Sequence, residues 1–407
     1  MLSEISRDNI AATMQKLASF DTRGNFSDPE QKDRGIGAAR RWILDQFKSY
    51  SPRLDVSFDP YKVKKQGTRI LRDVEVVNVV AVLPGTTQPD TRLIVGAHYD
   101  SLNVVRRPDA PEVTPEGGEP AADDVIDFEK SVEAPAPGVT DNAAGTALVL
   151  ELARVMSQYR FEKTIVFIAF GGEEIGLVGS NFYALKAKDH KDQIEAVLNN
   201  DVVGVAVAGD GHAESGLVHV FSEEPADSAS RELARYIRET AQRYVPGFSA
   251  EPVFRQDRFS RGGDQSPFNI NGFTAVRFTS AAENLGIQHT ANDTFDKSSP
   301  DYAMFPKDGV NTATFTTFDG LAVVVELAKQ GDADWIRLSA SGGADDKTKA
   351  EADGLNQRWS PWVYGIAAYK AGALRTKLDD LLEPPAPAPA APTQSAPAGG
   401  QSVPKTK

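Results

Sequence analysis

Apolar positions along the chain follow two different periods. Segments 9–20 and 35–50 repeat apolar residues at helical spacing, whereas 74–84 and 92–98 are strand-like, and the second is a nearly continuous apolar run. Short apolar runs bounded by turn residues are typical of strands that are buried on both faces. The same alternation predicts further strands over 163–171, 194–201, 216–222 and 273–280, and helices over 142–159, 176–188, 228–244 and 310–330.

The alternation of apolar strands with helices indicates an α/β fold. We expect a central mixed, mostly parallel sheet that is flanked by helices on both faces. Residues 1–382 are predicted to form a single domain. Within it, residues 331–360 show no clear period, and the segment 358–382 is expected to add a closing strand or helix.

Two segments break this pattern. Residues 102–137 are rich in proline and acids, and the stretch from Arg106 to Glu133 holds nine acidic and three basic side chains. A long loop of this kind is usually functional or disordered, so it is interpreted either as a lid or as a disordered insertion. Residues 383–407 are rich in proline and alanine and are predicted to be a disordered tail, because they cannot bury a core.

Composition narrows the classes of partner and site. The net charge of −13 disfavours a nucleic-acid partner, which would normally meet a basic surface. The absence of cysteine excludes disulfides, thiolate metal sites and a cysteine nucleophile. No apolar stretch approaches the roughly 18 residues of a membrane span. The first 20 residues also lack the basic and apolar regions of a leader peptide.

Acidic and histidine side chains gather where predicted elements meet loops. They are His98, Asp100, Asp141, Glu173, Glu174, Asp201 and His289. In open α/β sheets, ligands bind outside the carboxyl ends of the strands. Singly, Asp141 also suits a helix N-cap, Asp201 a turn and His98 a hydrogen-bonded core position. Taken together, two imidazoles and several carboxylates form the nitrogen and oxygen donor set that zinc takes, which predicts a two-metal site.

These residues stand in motifs that resemble a known family. The segments "HYDS", "GVTDNAAG", "FIAFGGEEIGLVGS", "NND" and "QHTANDT" are similar to the five blocks of metallopeptidase family twenty-eight. This co-catalytic di-zinc group includes bacterial leucyl aminopeptidase, aminopeptidase Y and glutamate carboxypeptidase. The resemblance covers roughly residues 35–330, and the zinc-exopeptidase fold that it implies agrees with the α/β alternation.

The resemblance implies a role for each residue and two zinc ions per chain. His98 and Asp201 would bind one zinc, Glu174 and His289 the other, Asp141 would bridge both, Glu173 would be the general base and Asp100 would orient His98. It also implies a cis peptide bond between Asp141 and Asn142.

The function that the resemblance implies is a zinc-dependent exopeptidase, most commonly an aminopeptidase acting on peptides with a free N-terminus. The alternatives are a carboxypeptidase or dipeptidase relative, a non-catalytic binding member of the fold, and a one-zinc glutaminyl cyclase. The family and the tail favour a secreted or periplasmic location, with a cytoplasmic one still open. The oligomeric state is left open.

The chain departs from the family pattern at positions that concern the substrate. Thr140 replaces an aspartate, Gln288 replaces the tyrosine that serves as an oxyanion donor, and Gln265 replaces a histidine after the matching Asp264. Nearby arginines are interpreted either as surface charges, which we prefer, or as ligands for a substrate carboxylate: Arg255, Arg258, Arg261 and Arg277.

Overall fold

The structure is a computed structural model of the chain. It describes residues 1–110, 125–298 and 309–375, apart from short gaps at 210–213, 215, 224, 226, 246, 259–260, 331–332, 344, 360–362 and 367. The predicted tail over 383–407 therefore lies outside the described residues.

An eight-stranded sheet forms the centre of the molecule. Its strands are β1 (Asp55–Val63), β2 (Val74–Leu83), β3 (Gln88–His98), β4 (Lys163–Phe170), β5 (Gln193–Asn200), β6 (Leu217–Ser222), β7 (Ser249–Val253) and β8 (Ala275–Ser280). The spatial order is β1-β2-β4-β3-β5-β8-β6-β7. Strands β4, β3, β5 and β8 run parallel to one another, and β6 and β7 form a second parallel pair. The β1–β2, β2–β4 and β8–β6 pairs are antiparallel. The predicted mixed, mostly parallel sheet is thus confirmed, and the pattern missed β1 and β7.

Helices cover both faces of this sheet. They are α1 (Arg7–Ala18), α2 (Gly35–Tyr50), α3 (Phe128–Glu133), α4 (Ala144–Met156), α5 (Val178–His190), α6 (Ala229–Tyr244), α7 (Gln265–Ile270) and α8 (Phe295–Ser298). On one face, Ile43 and Phe47 of α2 and Val149 of α4 pack with alternate strand residues such as Phe167. On the other, Tyr183 of α5 and Phe268 of α7 pack with Ile94 and Ile168. Burial on both faces explains why the central strands are apolar runs.

A second, four-stranded sheet follows the first in the chain. Strands β9 (Asn311–Thr316), β10 (Ala322–Gln330), β11 (Ala333–Ser341) and β12 (Tyr364–Ile366) pair antiparallel and are accompanied by α9 (Asp346–Trp359) and α10 (Ala368–Arg375). Ala206, from the region after β5, packs with Ala328 and Trp335 of this sheet. The segment 358–382 accordingly contributes a strand and a helix.

The predicted helix over 310–330 is wrong. The segment is a hairpin, in which β9 and β10 are joined by a turn with Gly320 at φ +91°. Its Asp-Gly pair and its runs of Thr and Val favour strands, because β-branched side chains suit a pleated sheet and glycine tolerates a positive φ. The apolar residues at helical spacing obscured this signal.

The ends of the predicted loop over 102–137 are ordered onto the domain. Arg106 pairs with Ile126, and the backbone N–H of Val105 donates to Ser131 Oγ at 2.9 Å on α3. The lid interpretation of this loop stays a prediction, because its middle stretch 111–124 lies outside the described residues. None of the helices in the described part of the chain is long and apolar enough to cross a membrane.

Candidate metal centre

The carboxyl ends of three neighbouring parallel strands bring the predicted site residues to one edge of the sheet. His98 ends β3, the two glutamates follow β4, and Asp201 follows β5. The short helical turn Val139–Ala143 before α4 carries Asp141, and His289 lies on the loop after β8 with φ +54°. All seven candidate residues therefore converge, although they come from five separate segments.

Asp141 lies between the two histidines. Its Oδ1 is 3.2 Å from His98 Nε2, and its Oδ2 is 3.1 Å from His289 Nε2. The carboxylate thus presents one oxygen to each imidazole, as a bridging ligand would. The peptide bond between Asp141 and Asn142 is cis, as the family resemblance implied.

Each histidine has a second carboxylate beside it. Asp201 Oδ1 is 3.4 Å from His98 Nε2, and Glu174 Oε2 is 3.2 Å from His289 Nε2. A tetrahedral zinc ion with bonds of roughly 2.0 Å holds its ligand atoms about 3.3 Å apart. These spacings therefore fit ligands that share a cation. Glu174 Oε1 supports the same reading, because it is buried and accepts no hydrogen bond from the described residues.

The adjacent glutamates point to different neighbours. Glu174 lies against His289, whereas ligand atoms of Glu173 come within 4.8 Å of His98 and Asp201. Their backbone N–H groups both donate to Asp100, at 3.3 Å from Glu173 to Oδ1 and at 3.1 Å from Glu174 to Oδ2. Asp100 thereby anchors the turn that holds both side chains.

Asp100 also lies directly behind His98. Its backbone carbonyl is 3.1 Å from His98 Nδ1 and its Oδ1 is 3.6 Å away, so Nδ1 carries a hydrogen toward them and Nε2 faces the site. Asn25 Nδ2 donates to Asp100 Oδ2 at 2.6 Å. This support from the N-terminal segment had no signal in the sequence, because Asn25 stands outside all the motifs.

The electrostatics of the site favour cations. Burial alone would lower the pKa of His98, but Glu173 and the carboxylates of Asp100, Asp141 and Asp201 raise it well above its usual range. The pKa of Glu173 is likewise raised well above its usual range, first by burial and also by neighbouring carboxylates. Buried carboxylates in such number are stable only when they are paired or bound to metal. The donor set therefore fits zinc, which takes imidazole and carboxylate ligands.

Comparison with known proteins agrees with this geometry. The family model described as Peptidase family M28 matches residues 78–314, more than half of the chain. The chain belongs to peptidase family M28. The matched region contains the seven candidate residues, while Asn25 precedes it.

Relatives of the M28 chain carry consistent descriptions. A probable zinc metalloprotease of Leptosphaeria maculans is 34% identical over 311 residues, which cover 71% of this chain and 67% of the relative. Across fungal relatives of the same description, the alignment spans only 57–67% of their length. Family membership and these names support zinc and a peptide substrate.

Solved structures share the fold. The LapA aminopeptidase of Legionella pneumophila is 20% identical with a TM-score of 0.50, over 72% of this chain and 67% of that one. BSAP, a zinc aminopeptidase from Bacillus subtilis, is 15% identical with a TM-score of 0.50, over 72% and 91% of the two chains. At such identities the likeness establishes the fold of the M28 chain.

The M28 chain uses a neighbouring aspartate at the position where Thr140 departs from the family pattern. Asp293 accepts hydrogen bonds from the Thr140 backbone N–H and hydroxyl, both at 2.9 Å, and from the Asp141 backbone N–H at 3.0 Å. Burial raises the pKa of Asp293 to about 6. Asp293 stands within "QHTANDT", but the sequence assigns it no role, because its contacts with Thr140 join segments that lie 153 residues apart.

The other two departures from the family pattern, Gln288 and Gln265, are buried amide side chains. Gln288 Nε2 is 3.5 Å from Glu283 Oε2, and Gln288 Oε1 accepts no hydrogen bond from the described residues. Gln265 joins Asn199 and Asp257, at 3.1 Å and 2.9 Å. Asp264 beside it is fully buried, and this burial raises its pKa to about 7.

The preferred interpretation of the arginines as surface charges is wrong for Arg277. Its side chain is completely buried, and it contacts Asp201 and Asp257. Arg258 is largely buried and pairs with Glu283, whereas Arg261 is exposed. The sequence did not distinguish these cases, because nothing around Arg277 indicates whether its side chain faces the interior or solvent.

Proposed function

We propose that this M28 peptidase is a di-zinc aminopeptidase that removes N-terminal residues from peptides. In this proposal His98 and Asp201 hold one zinc ion, Glu174 and His289 hold the other, and Asp141 is shared. Glu173 is the general base, and Asp100 orients His98. Bound zinc would supply Lewis-acid polarisation of the scissile carbonyl and a more acidic water.

One observation carries the two-ion part of the proposal. The two oxygens of Asp141 face two different imidazoles, at 3.2 Å and 3.1 Å. Each imidazole also has its own second carboxylate within 3.4 Å, Asp201 beside His98 and Glu174 beside His289. A single cation would leave one of these pairs without a partner, which would be costly for buried carboxylates.

Glu173 is suited to moving a proton because it is not needed to pair with His289. Its carboxylate would accept a proton from the attacking water and deliver it to the leaving amine. Asp100 accepts hydrogen bonds from the backbone N–H groups of Glu173 and Glu174, so the turn that carries the base is held in place. General bases contribute most when their geometry is preorganised in this way.

Surrounding charges favour a substrate amine over a substrate carboxylate. Several buried or nearly buried carboxylates form the site, among them Asp141 and Asp201. Arg277 and Arg258, which would be the natural ligands for a substrate C-terminus, are already paired with Asp201, Asp257 and Glu283. A positively charged α-amine would therefore meet less repulsion here than a carboxylate.

The test is an aminoacyl-anilide assay with zinc-loaded protein. Leu-, Ala- and Lys-anilides should be hydrolysed, and a chelator should abolish turnover until zinc is restored. Zinc content measured by elemental analysis should approach two ions per chain. Failure to hydrolyse any free-amine substrate would reject the aminopeptidase proposal, and about one ion per chain would instead favour a cyclase.

Blocked peptides separate the remaining alternatives. An N-acetylated peptide with a free C-terminus should resist cleavage, while the matching peptide with a free N-terminus and an amidated C-terminus should be cleaved. The opposite pattern would identify a carboxypeptidase. Zinc binding without turnover of either peptide would indicate a binding protein.

A further inference from the structure

Arg277 is an unusual residue for the middle of a sheet. It lies on β8, opposite Asn199 of β5 on one side and Phe221 of β6 on the other, and its side chain is completely buried. A buried guanidinium is costly unless its charge is paired with carboxylates. Its surroundings therefore identify what it does.

The guanidinium joins Asp201 to a second aspartate. Nη2 is 3.1 Å from Asp201 Oδ2 and 3.5 Å from the backbone carbonyl of Asp201, while Nη1 donates to Asp257 Oδ1. The Arg277 side chain thus contacts both the carboxylate and the backbone carbonyl of Asp201. Burial lowers the pKa of Arg277, but Asp201 and Asp257 raise it more, so the side chain stays charged.

Asp257 is held in turn from the other side. Its Oδ2 accepts a hydrogen bond from Gln265 Nε2 at 2.9 Å, and its Oδ1 accepts one from the Arg258 backbone N–H at 2.7 Å. Gln265 Oε1 accepts a hydrogen bond from Asn199 Nδ2 at 3.1 Å. Gln265 thus links Asp257 to β5, the strand that Asp201 follows. Arg277 therefore has a fixed anchor, and a histidine at position 265 is not needed to form it.

We propose that Arg277, anchored by Asp257, is a positioning residue that holds Asp201 in the pose required for one of the two zinc ions. This rests on the proposed role of Asp201 as a ligand. The guanidinium occupies Asp201 Oδ2, which leaves Oδ1 facing His98. Asp201 can then offer the site a single oxygen in a single orientation.

Two physical effects follow from this arrangement. The guanidinium gives the buried Asp201 carboxylate a charged hydrogen-bond partner, which offsets part of the cost of burying it. It also restricts rotation of the carboxylate. Hydrogen-bonded partners of metal ligands commonly orient their ligands in this way. Glu174 offers a contrast, since its Oε1 has no hydrogen-bond partner among the described residues.

The test compares Arg277→Met with Arg277→Lys in full-length protein. Zinc affinity is measured by competition with a chromophoric chelator, together with kcat, KM and the melting temperature of the metal-free protein. Arg277→Met should lower the affinity for one of the two zinc ions by about 10–100-fold, the usual range for losing a hydrogen-bonded partner of a metal ligand. Arg277→Lys should recover part of that affinity, because it keeps the charge and one hydrogen bond.

Arg231→Met is the matched control. Arg231 is also nearly buried, but it donates to the carbonyls of Glu223 and Phe254, away from the centre. This variant should lose stability with unchanged zinc affinity. A folded Arg277→Met protein that binds both zinc ions as the native protein does would overturn the proposal, as would an equal loss in the control.

Two further variants keep the outcome decisive. If Arg277→Met does not fold, Arg277→Lys and Asp257→Asn decide, and native zinc affinity in both would reject the positioning role. Asp201→Asn is measured in parallel and should lose one zinc ion. If it keeps both ions, the assignment of Asp201 as a ligand has failed, which is a separate result from failure of the Arg277 proposal.

Discussion

The two halves of the proposed metal centre are supported in different ways. His98 and Asp201 follow neighbouring parallel strands and are backed by Asp100 and Arg277. Glu174 follows the next parallel strand, β4, but its partner His289 lies on the loop after β8, and the His289 side chain is 26% exposed whereas that of His98 is 1% exposed. The half with His98 and Asp201 is therefore fully enclosed, while the half with His289 borders solvent.

In the proposed centre, this difference would separate two tasks. The enclosed half would hold one ion in a constant place, because packed strands resist displacement. The half with the partly exposed His289 would have more room to adjust while substrate enters and product leaves. Asp141 contacts a histidine of each half and so couples them.

The largest expected effect comes from removing that coupling. Asp141→Ala should lose zinc from both halves and lower kcat/KM by on the order of 10⁴-fold or more, as for members of a catalytic unit. Elemental analysis and anilide hydrolysis measure the two losses. Asp192→Ala, which removes a partner of Arg92 away from the centre, is the control and should keep both zinc and activity. Retention of two zinc ions without Asp141 would contradict its bridging role.

Glu173→Gln should separate chemistry from metal binding. The variant keeps the shape of the side chain but cannot accept the proton, so turnover should fall by about 10²–10⁴-fold while zinc content stays at the native level. Zinc analysis beside kcat measures this. Equal loss of metal from Glu173→Gln and Glu174→Gln would mean that the two glutamates do not have separate roles.

Asp201→Asn and Glu174→Gln should distinguish the two halves by stability. Each variant should bind one of the two zinc ions more weakly.

In the metal-free protein, Asp201→Asn should lower the free energy of unfolding by about 1–3 kcal/mol, because it leaves the buried Arg277 without one of its carboxylates. Glu174→Gln should cost little or be stabilising, since burial raises the pKa of Glu174 and its charged form is disfavoured. Urea unfolding of the metal-free variants measures both. Equal destabilisation would remove the contrast between the halves.

Asn25→Ala should have the smallest effect, because Asn25 acts on the centre only through Asp100. Removing its hydrogen bond to Asp100 should cost about 1–2 kcal/mol and weaken zinc binding severalfold through His98. Asn356→Ala is the control, because Asn356 hydrogen-bonds the backbone of Ala340 in the second sheet. It should lose similar stability with unchanged zinc affinity. Identical zinc curves for Asn25→Ala and native protein would show that the N-terminal segment does not support His98.

Local patterns were sufficient for much of the fold. Strand β4 was predicted within a residue at each end, because a fully buried strand is an uninterrupted apolar run. The hairpin of β9 and β10 was misread as a helix, since Val, Thr and Phe also fell at helical spacing. Its turn at Asp319 and Gly320 was the better signal.

The candidate site likewise has some residues that local patterns predict and others that they do not. His98, Glu173 and Asp201 could be found because each stands at the end of an apolar strand, where the sheet itself places ligands. Asp293 and Asn25 could not, because their contacts with Asp141 and Asp100 join segments far apart in sequence. Hydrogen bonds of that kind leave no periodic trace along the chain.

The sequence by itself determined which residue types reach the carboxyl edge of the sheet, because strand period and strand ends are local properties. Only the tertiary structure decided how those residues are supported. Arg277 is the clearest case, since a guanidinium on a strand can face solvent, a substrate carboxylate or a ligand. The packing of β8 between β5 and β6 buries it against Asp201 and Asp257, and long-range packing of this kind is not encoded in any local pattern.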